Sequence, residues 1–598
     1  MVAAQTKNNL SGHKKNLAGI LLIFLCTYLT GIQNIGLPGI YYDAVYPDYI
    51  AAVWAFPGID NFTQITKHAG LPLLGNLYHG TLTSIVQFFV LKCFGVSNAL
   101  TLRMTNLFYI GIIGAILFVF SKKISNKYLL PLVGSLLCVT AQSTLLLSRT
   151  QYYIMLPGTI FFLLSCGIIV KQYCTENYCP ESKLLLAGIF QGLAFYGYFT
   201  FLFLAPVSTL IIILREKKGH KLSGAALFLW GIPIGSICYF FGYFDSLLVN
   251  ILGICTLTRL LLFTGCALML LILTLPVLVV LSPKYAPCRP KLIKIYRILG
   301  LAALIFLAVA LVAALFIMPD KLQSVSGLFS HTTQRNTGSV FLLFWTLLYG
   351  LLSNNRLQYT IFGEHLNDFG GIYPLCCIVV TAILCTPRLL GKQKRPLTGA
   401  KKAIFYLYAY LFGFYLCSLP IIKGMQPQHF VPICFLMFIV IILGLCHICE
   451  FLPKYSGIAI TVFLMLSAIC INFRDNQIFL HLLDETGGRG RYSSAYNDFA
   501  HEAQADPEKA EKIYVFPQWG FHANFVYLTS NQCKAIRDAD IDTARLQEQL
   551  DSGYTLVLAA EDEDAINKLL EALTYDESVK KIWFSKEKKQ IFLSVEIK

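Results

Sequence analysis

Apolar runs of about 20 residues recur along the first 470 or so positions, each long enough to cross a bilayer as a helix. Short polar breaks separate them. The pattern predicts a first span over about residues 17–33, then a long loop to about 80. Further spans follow over 103–120 and 128–147, with a return ending near 170, another exit over 184–196 and a return to the basic stretch 215–221. The alternation continues over 227–241, 260–282, 295–318, 374–385, 404–421, 430–445 and 456–472. Two apolar runs, 81–95 and 340–352, are too short to cross and read as interfacial helices. The sum is about 13 spans, an odd number that sends the two termini to opposite sides.

From about residue 474 the pattern changes to mixed charge with short buried strands. "KIYVFP", "TLVLAA", "KIWFS" and "IFLSVEI" alternate or run apolar as strands do, and "DAINKLLEAL" carries a helical stripe. Gly487-Gly488-Arg489-Gly490 reads as a linker. The expected architecture is an α-helical polytopic membrane protein, residues 1–473, followed by a small C-terminal α/β extracytoplasmic domain, residues 474–598.

Composition agrees, with 56% hydrophobic and only 14% charged residues, against about a quarter charged in soluble domains. The net charge of +15 gathers in short clusters: Lys14-Lys15, Lys122-Lys123, and the stretches 215–221, 284–294 and 388–402. Such clusters mark cytoplasmic loops rather than a nucleic-acid surface. The opposite loops hold the acids Asp43, Asp48, Asp60, Asp245, Asp320, Glu364 and Asp368. Most of the 19 cysteines lie inside apolar runs, where cysteine serves as a small hydrophobe. Cys174 and Cys179 form no zinc pattern with a second pair. The first run lacks a small-x-small cleavage site and is read as a retained anchor.

One stretch stands out chemically. "GIYYDAVYPDYIAA" places Asp43 about ten residues past the first span, among Tyr41, Tyr42 and Tyr46. An ionisable group at a membrane boundary points to function, and a carboxylate there can act as general base toward a hydroxyl.

The order of features resembles the GT-C glycosyltransferases that use polyprenyl-phosphate sugars, among them the protein O-mannosyltransferases and the lipid A aminoarabinose transferase. The resemblance rests on "YYDAVYPDY" after span one, the loop "GLPLLGNLYHGTL", the interfacial helix ending "FGVSNALTLR" and the outer corner "SRTQYYIM". "QPQHFVPICF" is a looser match, with Gln428-His429-Phe430 where the family tends to have Arg-Tyr. Asp43 is followed by Ala44 where many relatives have Glu.

The resemblance implies transfer of a sugar from a polyprenyl-phosphate donor to a lipid, glycan or protein acceptor at the extracytoplasmic face, with inversion. Asp43 would be the base, and Lys67 and Arg149, basic residues on the outer side, would hold the phosphate. Asp48, Tyr42, His79, Tyr153 and His429 complete the expected substrate site, and Arg103 is read as a structural anchor. Asp43 and Asp48 do not form a DxD pair, so a divalent metal is not indicated. The expected location is a bacterial inner membrane, although "NFT" at Asn61 would be a glycosylation acceptor in a secretory pathway. A transporter or flippase is the alternative. It would place polar residues at span midpoints, whereas here they gather at one face.

Overall fold

The computed structural model describes residues 2–46, 48–59, 61, 73–76, 79–176, 179–216, 220–239, 242, 339–352, 355–363, 399–449 and 454–598. Lys67, Asp60, Asp245, Asp320, Glu364, Asp368 and the spans expected at 260–282, 295–318 and 374–385 lie outside them.

The membrane part begins with α1 (Val2–Gly31), the short α2 (Tyr49–Ala55) and α3 (Leu82–Phe94), which is the expected interfacial run. The long α4 (Ala99–Ser125) starts where Asn98 and Thr101 exchange side-chain and backbone hydrogen bonds as a capping box. It ends at Asn126 in the left-handed conformation (φ 56°). Lys122 and Lys123 in its last turn suit the negative end of the helix dipole. Five helices among the described residues are long and apolar enough to span, or six with one bent pair.

That pair corrects the single span expected over 128–147. It is split into α5 (Leu129–Thr140) and α6 (Gln142–Arg149), bent by 48° at Ala141. No proline causes the break. Carbonyls freed in an apolar setting need other donors. Asn476 Nδ2 donates to Thr140 O at 2.8 Å and Asn472 Nδ2 to Leu137 O at 3.3 Å, while Gln142 Nε2 returns a bond to Asp475 O at 3.1 Å. All three partners sit on the helix Lys454–Thr486, which runs on well past the expected span end at 472 and through the expected domain boundary.

Next come α7 (Met155–Thr175), α8 (Glu181–Gly197), α9 (Ala205–Arg215) and α10 (Lys221–Gly235). α8 and α10 cross with their backbones in contact. A Cβ on Gly192 would lie 2.1 Å from Ile232 O, and one on Gly235 2.0 Å from Ile189 O. Gly188 and Gly231 complete a four-residue glycine spacing on both helices, which allows this approach. Val340–Leu352 forms the second short apolar helix, and Gly399–Ser418 and Val431–Ile448 complete the described bundle.

A small hairpin of β1 (Leu74–Asn76) and β2 (His79–Gly80) precedes α3. The C-terminal domain has a five-stranded sheet built from β3 (Lys512–Phe516), β4 (Lys534–Arg537), β5 (Thr555–Ala560), β6 (Ser578–Phe584) and β7 (Gln590–Ile597), in the order β4-β3-β5-β7-β6. β3 pairs parallel with β4 and β5, and β7 pairs antiparallel with β5 and β6. Alternation along β3 divides two cores. Ile513 and Val515 pack with Leu546 and Ile566, whereas Tyr514 and Phe516 join an aromatic cluster with Phe499 and Phe525 that is continuous with the membrane part.

This domain grips the loop after α1. Asn497 accepts from Ile40 N at 3.0 Å and Asn524 donates to Ile40 O at 3.0 Å. Asn531 donates to Phe56 O and Ile59 O at 2.8 and 2.9 Å. Asn61 is buried, and its amide donates to Asn531 Oδ1 at 2.8 Å and Cys533 O at 2.9 Å. The folded chain therefore has no room for a glycan on that nitrogen, and the sequon is not a usable acceptor in this state.

The glycine crossing gives a stability test. Gly192→Leu should destabilise by at least about 1–3 kcal/mol, because backbone rather than a movable side chain blocks the added atoms. Gly167→Ala, whose Cβ meets Phe120 at an ordinary 3.4 Å, should leave thermal unfolding in detergent unchanged or slightly raised. Equal melting behaviour of the two variants would refute the close crossing.

Candidate functional site

Two buried arginines fix the loop that carries Asp43. α1 ends at Gly31, and its last carbonyls have no partner within the helix. Arg149, at the end of α6, donates through Nη2 to Gly31 O at 2.9 Å and to Gln33 O. Its Nη1 donates to Asn34 O and Leu37 O at 2.8 and 2.7 Å. Arg103 of α4 donates to Ile35 O at 2.6 Å and Pro38 O at 2.5 Å. The chain then passes through the single turn Tyr42–Ala44, which presents Asp43 half-buried.

Asp43 opens into a cavity of about 410 Å³ between the helices and the C-terminal domain. Its walls include Tyr41, Gln151, Gln426, Gln428, Tyr359 and the turn Arg489 to Tyr492. The expected linker is therefore a packed turn. Gly487 and Gly488 are buried at φ 69° and 86°, and Gly39 N donates to Tyr492 O at 2.8 Å. Its two arginines differ. Arg489 makes a bidentate pair with Glu587, both contacts at 2.7 Å, and Nη1 donates to Phe362 O at 3.0 Å. Arg491 donates to Tyr41 OH at 3.2 Å and stands 5.6 and 5.9 Å from the ring centres of Tyr41 and Trp519. A guanidinium has five N–H donors, so Arg491 retains donors for a ligand's oxygens. Burial, then the Asp43 charge, pushes the Tyr41 phenol up, which keeps it a hydrogen-bond donor.

Of the described residues expected in the substrate site, only Asp43 lines this cavity. Arg149 is a correction: its terminal nitrogens are engaged by four carbonyls and face the end of α1. Arg103 is the structural anchor expected. Asp48 is sealed beneath the turn, and burial raises its carboxyl to about 7. The hydroxyls of Tyr153 and Thr83 favour its ionised form, yet neither closes to hydrogen-bond geometry with it. Tyr153 is thus buried against Asp48 rather than against the cavity. Tyr42 stacks on Tyr46 at 5.2 Å and leans on Trp519 at 4.9 Å. His79 is buried between Tyr46 and Tyr198, and burial lowers its pKa to about 4, which keeps it neutral. His429 accepts from Gln426 N at 2.9 Å on Nδ1 and meets Tyr198 OH at 3.1 Å through Nε2. Its neighbours Gln426 and Gln428 reach the cavity instead.

Arg489 and Arg491 are the functional candidates that sequence reading missed. The signal was available, since both are basic residues on the side where acids predominate, the same argument that singled out Lys67 and Arg149. Among the described residues, no three His, Cys, Asp or Glu side chains converge as a metal-binding set.

No family model and no curated protein matches the chain. A solved structure does: the crystal structure of ArnT from Cupriavidus metallidurans bound to undecaprenyl phosphate. The likeness covers 97% of this chain and 97% of that one, with a TM-score of 0.53 at 10% sequence identity. At that identity it shows a shared fold, that of a multi-pass integral membrane protein with a small C-terminal sheet domain.

Two measurements follow from the buried groups. Below about pH 4 the Asp48 carboxyl is neutral folded or unfolded and costs nothing. Between about pH 4 and 7 the unfolded chain releases a proton that the folded chain keeps, so stability falls as pH rises; above 7 the penalty is constant. Asp48→Asn should match the parent in thermal unfolding near pH 4 and exceed it at pH 8, by up to about 4 kcal/mol. Arg149→Leu should reduce the folded fraction on size exclusion, costing more than about 3 kcal/mol by orphaning the carbonyls of Gly31, Gln33 and Leu37, whereas Asn34 O keeps its bond from Leu37 N. A well-folded variant that has lost only ligand binding would restore Arg149 to the site.

Proposed function

We propose that this chain is an integral-membrane glycosyltransferase that moves a sugar from a polyprenyl-phosphate donor to a hydroxyl acceptor at the extracytoplasmic face. The observation that carries the reading is one cavity holding both a carboxylate, Asp43, and a cation with donors to spare, Arg491. The shared fold with a protein crystallised with undecaprenyl phosphate supports the choice of donor class.

The chemistry asks for these two groups on opposite sides of the transferred carbon. Asp43 takes the proton from the acceptor hydroxyl, whose oxygen attacks the anomeric carbon. The bond from that carbon to the phosphate oxygen breaks, its electron pair leaves with the lipid phosphate, and configuration inverts. Arg491 donates to the phosphate oxygens, where negative charge grows as the bond breaks. Arg489, neutralised by Glu587, holds the turn in place. In this reading residues 1–473 are the catalytic membrane domain. Residues 474–598 are an extracytoplasmic domain that completes the site by supplying Arg491.

The test is transfer from a set of polyprenyl-phosphate sugars in nanodiscs. Asp43→Asn should lower turnover by about 10²-fold or more while donor binding persists. Arg491→Gln should raise the donor KM about tenfold or more. Unchanged turnover in Asp43→Asn would remove the general-base role, and an unchanged KM in Arg491→Gln would remove the phosphate contact.

A further inference from the structure

A second cavity, of about 430 Å³, lies at the other end of the bundle. It is a groove between α1, α4 and α7, walled by Phe24, Ile116, Phe120, Leu164 and Ile168 and floored at Gly167. One end is entirely different in character, with Lys123, Lys171 and Lys183 standing around its mouth. Lys183 Nζ donates to Gln172 Oε1 at 3.0 Å, and the neighbouring acid Glu176 accepts from the same glutamine.

Helix arithmetic places this mouth. Arg103 and Lys123 are both on α4, and Arg103 touches the loop leading to Asp43. Gln151 lines the Asp43 cavity, and Lys171 lies twenty residues further along the same helical run. Twenty residues at 1.5 Å each is about 30 Å, the thickness of a hydrocarbon core. The lysines therefore sit at the opposite membrane interface from Asp43. From Ile112 to Lys123 the groove runs about 16 Å along α4. An apolar channel of that length, parallel to the spans and ending in three cations, has the shape and charge of one acyl chain joined to an anionic headgroup.

We infer that this groove binds an anionic phospholipid of the leaflet opposite the Asp43 cavity. One acyl chain lies between α4 and α7, and the headgroup phosphate lies among Lys123, Lys171 and Lys183. Lysine suits the role as a mobile point charge at an interface. The site is separate from the transferase reading and stands without it.

The test uses the purified full-length protein in detergent, titrated with phosphatidylglycerol or with phosphatidylcholine of the same chains and read by native mass spectrometry. One phosphatidylglycerol should bind about tenfold or more tightly than phosphatidylcholine, as three lysines near a headgroup predict. The triple variant Lys123→Gln, Lys171→Gln, Lys183→Gln should bring the two lipids to within about twofold, and each single variant should remove part of the preference. Removing the same charge elsewhere, with Lys586→Gln, Lys588→Gln and Lys589→Gln, should leave the preference intact. Gly167→Phe, which fills the groove floor, should abolish the tight site for either lipid. Equal binding of the two lipids by the parent would overturn the assignment. So would a preference that survives in the triple and single variants, or one lost equally in the distant charge control.

Discussion

The fold around the site depends on one electrostatic constraint, the need to satisfy the carbonyls where α1 ends at the membrane boundary. The helix end carries the negative end of the dipole, and the irregular loop after it leaves most of its carbonyls without a main-chain donor. Arg149 meets four of them and Arg103 two more, so six backbone oxygens between Gly31 and Pro38 answer to two side chains. Among the described residues no acid pairs with either arginine, and backbone carbonyls supply the compensating dipoles. Asp43 lies only five residues beyond Pro38, so its position is largely inherited from this clamp.

The C-terminal domain closes the same loop from outside by related means. Asn497, Asn524, Asn531 and, from the loop itself, Asn61 all bond main-chain groups, and together they pin the loop at Gly36, Ile40, Phe56, Ile59 and Asn61 to this domain. Amides suit the task because each offers both donor and acceptor to loop backbone that has no regular partner there. The turn bearing Arg491 is thus held against the turn bearing Asp43 by amide and main-chain hydrogen bonds, among them Gly39 N to Tyr492 O.

Much of this was legible in the sequence where the signal is local. Residues 81–95 and 340–352 appeared as short helices because their length alone excludes a span. "KIYVFP" and "TLVLAA" emerged as strands because β-branched and apolar residues fill them. What could not be read depends on partners far along the chain. The break at Ala141 is stabilised by Asn472, Asn476 and the Asp475 carbonyl, more than 330 positions away. β4 is only four residues long and too polar to announce itself. The sequence Gly487-Gly488-Arg489-Gly490 looks flexible in isolation, and only its packing against Gly39 and Tyr492 makes it a fixed wall.

The contrast between Arg149 and Arg491 illustrates a broader point about cations at a membrane face. A basic residue on the acid-rich side of the membrane calls for an explanation, and two are available. It can satisfy fixed partners of the protein, in which case burial keeps a substrate from reaching it. Or it can remain partly open, steadied by weak contacts that a ligand can share. Arg149 is buried with four carbonyl partners, whereas Arg491 is exposed and rests on a phenol and two aromatic rings. A phosphate that must arrive and depart needs the second kind. Its affinity comes from donors not already engaged, and its release needs water to reach the site. Position in the sequence cannot separate the two kinds, because both satisfy the same topological rule, but the hydrogen-bond inventory does.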